Sequence, residues 1–343
     1  MDTSVMITLG FLIFAIVMFA WEKIPLSITA MVVAVGLHLS GVLSAKEAFA
    51  GFVDPNVLLF MGMFVIGEAF FATGVAVGVG NVVHKFAKTE TSLLVAVMMI
   101  TGILSGFLSN TGTAAVLIPV IIGICKKSGF KQTKLLMPLV FAAAMGGNIS
   151  LIGAPGNMIA QAGLQQAGLG SFNFFDYGLV GLPILIVGTI FYATIGKRFL
   201  PDAPSHQPDG AFEGNDDYSH VPSWKKWTAA IVLILTVVAM IFEKQLGVKL
   251  YVSAWIGALV LVATNVISET AAVKSIDMKT IMLFAGSMAL GDAMVKTGTG
   301  SVIADIIVNS LGASPSPIVV LVVIFVLGVF MTCLLYTSPS PRD

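Results

Sequence analysis

Apolar residues run along this chain in blocks of membrane-crossing length, parted by short polar connectors. Roughly 17–25 residues suffice to cross a bilayer as a helix. Ser4–Trp21, Ile24–Leu43, Val57–Thr73, Gly178–Ile195, Trp224–Phe242, Tyr251–Ile267 and Ile281–Lys296 meet that measure. Leu93–Cys125 and Leu135–Ala167 are equally apolar but carry polar or glycine-rich centres, and a last run covers Ile318–Thr332. Connectors fall at Ala45–Asn56, Val83–Glu90, Lys126–Lys134, Pro201–Ser223 and Ser268–Thr280. The pattern predicts an all-α polytopic membrane protein, because only helices and closed barrels satisfy their backbone in lipid.

Composition agrees. The 343 residues are 57% hydrophobic and 10% charged, against about 25% charged in a soluble domain. A formal net charge of zero argues against nucleic acid as a partner. Cys125 and Cys333 lie far apart in apolar segments, which is neither a disulfide framework nor a metal spacing. Val5–Ala20 lacks the basic flank and small-residue cleavage site of a signal peptide, so it reads as a retained first span. Residues 333–343 switch to a Pro/Ser tail that resembles a translated adaptor, and are expected to be non-native. The native sequence then stops near Thr332, inside an apolar run.

Charge assigns sides. If Leu93–Cys125 enters and leaves on one face, Lys23, Lys126–Lys134, Lys197, Arg198, Lys225 and other cations share that face, thirteen in all. Lys46, Lys244, Lys249 and Lys296, four residues, fall opposite. The excess marks the first face as cytoplasmic, in a bacterial-type inner membrane.

The chain also repeats. Leu58-Leu59-Phe60-Met61-Gly62 matches Met282-Leu283-Phe284-Ala285-Gly286 at an offset of 224, which also carries Glu68 to Asp292 and Thr73-Gly74 to Thr297-Gly298. Trp21-Glu22-Lys23 resembles Phe242-Glu243-Lys244 at 221, with Lys23 and Lys244 on opposite sides, so the repeats are expected to be inverted. Residues 1–200 form the first repeat, 201–223 an acidic linker, and 224–332 an incomplete second repeat.

Two interruptions carry the chemistry. Leu93–Cys125, 33 residues, is short for two spans and a turn, so its Ser105-Gly106-Phe107-Leu108-Ser109-Asn110-Thr111-Gly112-Thr113 centre reads as the tip of a re-entrant hairpin. The second limb begins near Thr111, where free N–H groups and the helix dipole attract an anion. Ser109 and Asn110 supply acceptor oxygens for a hard cation such as sodium, and Ser105 lies one helical turn before Ser109. The simpler alternative is an N-capped turn at the membrane surface. The second interruption, Met145–Asn157, holds four glycines and Pro155, which cannot continue a helix. Its unwound carbonyls, with Asn148 and Ser150, would complete a cation cage; the alternative is a Gly/Pro kink.

Ser109-Asn110-Thr111 resembles the Ser-Asn-Thr signature of the divalent anion/sodium symporter family. That family belongs to an ion transporter superfamily that includes citrate and arsenite permeases. Gly146-Gly147-x-x-Ser150-x-x-Gly153-x-x-x-Asn157 is similar to its Gly-Gly-x-x-Thr-x-x-Gly-x-x-x-Asn loop, with Ser in the Thr position. The resemblance implies a hairpin and a broken helix that together hold sodium and a substrate carboxylate. Ser105, Ser109, Asn110, Gly147 and Asn148 match the cation positions, with Ser150 beside them. Asn110 and Thr111, with Asn157, match the substrate-facing ones. It also implies a homodimer and an elevator-type motion. The family's second hairpin would begin here at Ile318 and the chain ends before its tip, so the polypeptide as written is expected to hold half a binding site and not to transport.

The reading is therefore a secondary transporter of a small anion, a di- or tricarboxylate or sulfate, coupled to sodium and needing no cofactor. Arsenite export or sodium/proton exchange remain alternatives within the fold. Glu68 and Asp292, carboxylates within apolar segments, are candidate proton-coupling residues, with two interface-facing or ordinarily hydrogen-bonded side chains as the plain alternative. An intramembrane enzyme would need a nucleophile–base pair or metal cluster, and the sequence offers no such spacing. A passive channel is the third class considered.

Overall fold

The computed structural model describes residues 2–21, 23–75, 89–128, 130–200, 220–303, 305, 316, 318–319, 321–323 and 325–326, with 126–128 as backbone only. The linker at 201–219, the segment at 76–88, most of Ile318–Thr332 and the tail at 333–343 lie outside the described residues.

Among the described residues every regular element is helical. The helices are α1 (Thr3–Trp21), α2 (Leu26–Leu39), α3 (Ala45–Ala48), α4 (Pro55–Ala72), α5 (Glu90–Ser105), α6 (Asn110–Ser128) and α7 (Thr133–Gly146). After these come α8 (Pro155–Gln166), α9 (Gly178–Thr194), α10 (Ser223–Ile241), α11 (Glu243–Leu246), α12 (Leu250–Ala263), α13 (Glu269–Ser275) and α14 (Met278–Thr297). Short 3-10 turns cover Ala50–Val53 and Gly196–Arg198. α1, α4, α10 and α14 are long and apolar enough to cross a bilayer, and six more apolar helices are shorter. The protein is an all-α polytopic membrane protein.

The sequence repeat extends into local structure. α2 and α12 begin and end 224 residues apart. Ser44 and Ser268, at the same offset, each cap the following short helix by accepting a backbone N–H, from Glu47 and Ala271. Gly41 (φ 78°) corresponds to Asn265 (φ 56°), and Gly74 (φ 73°) to Gly298 (φ 73°). The Thr73 and Thr297 hydroxyls each donate to the carbonyl four residues back, both at 2.7 Å. Packing repeats reciprocally: a Cβ on Gly62 would strike Ala254, and one on Gly286 would strike the backbone of Ala30. The glycine-bearing helix α4 thus packs on small-residue helix α12, and α14 on α2.

Asn265 is the one non-glycine residue in the left-handed region among the described residues. Asn265→Gly is expected to leave stability unchanged or raise it, whereas Asn265→Val costs about 1–2 kcal/mol, read from thermal melts.

Contacts divide the chain into two compact units. One comprises Met1–Val57, Ala162–Leu169 and the segment from Met278; the other comprises Leu58–Gln161 and Gly170–Asp277. In the first, α2 and α14 pack closely along small residues, and α1 lies against both. Ala34, Leu37, Ala289 and Ala293 are buried there. In the second, α5, α7 and α9 pack on one another, with α6 against α5 and α7. Leu93, Leu94, Val97, Met98, Leu135 and Leu139 form its core. A Cβ on Gly146 would run into the backbone of Gly102, so α5 and α7 touch main chain to main chain. This accounts for Gly102 as a packing residue.

Candidate functional site

The contact between α5 and α7 brings both interruptions together. α5 ends at Ser105 because Gly106 and the turn Phe107-Leu108-Ser109 follow it, and α6 restarts at Asn110. Ser109 caps the new helix by accepting the Gly112 N–H at 3.1 Å. α7 stops at Gly146, residues 147–154 turn, and α8 restarts at Pro155, where a missing N–H costs nothing.

Side chains stitch the two breaks. The Ser150 hydroxyl donates to the Gly106 carbonyl. The Ser105 hydroxyl, fully buried, reaches the Ala143 carbonyl at 2.7 Å. Asn157 donates its amide N–H groups to the Gly147 and Ser150 carbonyls at 2.8 and 2.9 Å, and its own backbone carbonyl accepts from the Tyr177 hydroxyl at 2.8 Å. Phe107 stacks against Phe174, holding the hairpin turn on the 172–177 segment.

Asn110 stands at the centre. One terminal atom of its amide lies 2.6 Å from Ser105 Oγ, 3.2 Å from the Ala143 carbonyl and 3.1 Å from the Gly153 carbonyl. With nitrogen at that position, the amide donates to this ring of oxygens and every partner is satisfied. With oxygen there, it accepts from the Ser105 hydroxyl at 2.6 Å, while the Ala143 and Gly153 carbonyls stand opposite it as acceptors that a cation would reconcile. Gly147 closes the cluster, because a Cβ there would sit 2.5 Å from the nearest terminal atom of the Asn110 amide. No Lys, Arg, Asp or Glu occurs in Leu93–Cys125 or Leu135–Ala167, so any ion here meets dipoles rather than countercharges.

Of the residues read from the sequence, Ser105, Asn110 and Gly147 converge, with Ser150 bracing the hairpin turn. Ser109 and Thr111 are exposed at the start of α6. Asn148 is exposed too, and its carbonyl faces Gly181 of α9 instead of the Asn110 cluster. Asn157, read as substrate-facing, is 5% exposed, and its amide hydrogens bridge the Gly147 and Ser150 carbonyls of the broken segment. The Gly153 carbonyl belongs to the unwound stretch read from the sequence, but nothing in the sequence marks the Ala143 carbonyl, which lies outside it. Nor does the sequence single out Thr113, which is 1% exposed with a hydroxyl lacking any hydrogen-bond partner.

Glu68 and Asp292 fall in different compact units. Glu68 is half-buried on α4. Asp292 lines a cavity of about 490 Å³ with Glu47, Gln166 and Lys296. Lys296 bonds both Glu47 carboxylate oxygens, at 2.9 and 2.8 Å. With the Ser44 N–H and hydroxyl, it holds the Glu47 carboxyl down from 4.5 to about 2. The folded chain therefore binds this proton more weakly than the unfolded one. Its stabilisation is complete above pH 4.5 and fades as pH falls toward 2. Lys296→Met is expected to flatten the fall in melting temperature across that window.

Comparison with known proteins gives the family. A family model described as citrate transporter matches residues 16–340. An uncharacterized transporter of Escherichia coli is 33% identical over 211 residues, covering 61% of this chain and 35% of that protein. One from Synechocystis is 30% identical over 201 residues, covering 58% and 33%. One from Methanocaldococcus jannaschii is 26% identical over 320 residues, covering 91% and 71%. The chain thus spans about a third of the length of the first two relatives. A match over nearly the whole sequence, with two broken helices joined at Asn110, leads to one assignment: the chain belongs to the citrate transporter family.

Proposed function

We propose that this chain forms part of a secondary transporter that moves a small anion, a di- or tricarboxylate or sulfate, together with sodium. The observation that carries the reading is the ring of Ser105 Oγ, Ala143 O and Gly153 O around the Asn110 amide. Unwound carbonyls and a helix start at one point are the means by which transporters hold a cation beside an anion. Sodium takes the place of the amide hydrogens, turning the Asn110 oxygen inward and its nitrogen outward. The anion then meets that nitrogen, the Thr111 hydroxyl and the free N–H groups of α6. Without a basic side chain in either interrupted segment, the bound cation supplies the neutralising charge, so the two ligands bind in a linked way. Gly147 packs against the Asn110 amide beside the cation, and a homodimer with elevator-type motion across the inner membrane is part of this reading.

The test is thermal stability of the purified chain in sodium or potassium chloride, with citrate, succinate or sulfate added. A ligand present at about 100 times its dissociation constant stabilises by about 2.7 kcal/mol. Sodium alone should raise the melting temperature, and the anion should add to it only when sodium is present. Equal shifts in the two salts would rule the reading out.

A further inference from the structure

A second polar constellation lies away from the Asn110 cluster, where the first turns of α5 and α7 meet the end of α9. There a cavity of about 420 Å³ has Lys134, Lys197 and Arg198 in its wall, with Glu90 and Thr91 beside them and Leu94 and Leu200 as apolar lining. We propose that this cavity binds a glycerophosphate head group, either that of a phosphatidylglycerol lipid or a soluble glycerophosphate.

Three features select that chemistry. First, three cations converge on one cavity, and the Lys197 ammonium is held in place by donating to the Thr91 hydroxyl at 3.2 Å. Guanidinium and ammonium groups together suit a phosphate, the first by its planar fork and the second as a point charge. Second, the Glu90 Oε1 atom is buried and has no hydrogen-bond partner. An inorganic phosphate would set its own oxygens against that carboxylate. A phosphate ester whose head ends in hydroxyls instead gives Glu90 a donor, while its phosphate lies toward the cations. Third, the cavity sits where apolar helices end and basic residues gather, the level at which lipid phosphates lie. Leu94 and Leu200, both buried, put hydrocarbon beside the charges, as the junction of a lipid head and its acyl chains requires. The volume lies within the range of small-ligand sites.

The experiment uses the purified chain in nanodiscs containing phosphatidylglycerol and phosphatidylcholine, with retained lipid counted by native mass spectrometry. Choline offers no hydrogen-bond donor to Glu90. Retention should favour phosphatidylglycerol by at least tenfold, and Lys197→Gln with Arg198→Gln should erase most of that preference. Glu90→Gln should narrow the preference while leaving phosphate-bearing lipids bound. In detergent, a melting shift with sn-glycerol 3-phosphate, larger than with inorganic phosphate, and no lipid preference, assigns the site to the soluble ester. The proposal fails if neither probe binds selectively, or if selectivity survives both sets of changes. Circular dichroism checks the fold of each variant. If the double variant does not fold, Glu90→Gln decides alone, since an unchanged lipid preference in that variant contradicts the assigned contact.

Discussion

Asn110→Ala is expected to lower sodium affinity by about 30–100-fold and to remove sodium-dependent anion binding with it. The change deletes the only side-chain amide in the oxygen ring and leaves Ser105 Oγ and the Gly153 carbonyl without their shared partner. Hydrogen bonds to charged groups contribute about 1.5–3 kcal/mol, and each 1.4 kcal/mol is about tenfold in affinity. Asn110→Asp separates donor from acceptor roles. A carboxylate keeps the inward oxygen but cannot donate to the Ala143 and Gly153 carbonyls, so the sodium-free fold loses stability while the sodium-bound fold keeps its ligand. The melting temperature of that variant should depend on sodium more steeply than that of the parent chain. Titrations of melting temperature against sodium, for both variants, check the pair. An Asn110→Ala protein whose anion binding keeps its full sodium dependence would remove the proposed site.

Gly146→Ala has the largest expected effect on stability. The new methyl would enter the backbone of Gly102, where no side chain can move aside. Forcing volume into a packed interface costs roughly 1–3 kcal/mol, and occasionally more; backbone against backbone places this change at the upper end. Separating α5 from α7 also parts Ser105 from the Ala143 carbonyl, so sodium-dependent stabilisation should fall along with the melting temperature. Gly123→Ala, on α6 with nothing near the added methyl, is the control. It should be neutral or stabilising by about 0.5–1 kcal/mol, because alanine favours a helix more than glycine does.

Much of this fold is legible in the order of its residues, for a reason specific to membranes. A membrane-crossing helix must be apolar over most of its length, so block length alone marks α1, α4, α10 and α14. Breaks are legible too: Gly146, Gly147 and Pro155 oppose helix by their own backbone properties, and the breaks stand where those residues do. The repeat offset of 224 is readable from Phe60 and Phe284 because identical packing duties leave identical residues. Its extension to Asn265 is not, since Gly41 and Asn265 share a backbone angle and not a residue type.

The site divides along the same line. The membrane class, the two interruptions and the polar side chains within them follow from the chemistry of consecutive residues. That the Ala143 and Gly153 carbonyls face Asn110, that Asn157 bridges two loop carbonyls, and that the Asn148 carbonyl lies against α9 is settled by helix packing alone. Every residue carries the same carbonyl oxygen, so nothing in the order of amino acids marks the few that point inward. Their selection comes from the close crossing of α5 and α7 at Gly102 and Gly146, residues forty-four positions apart.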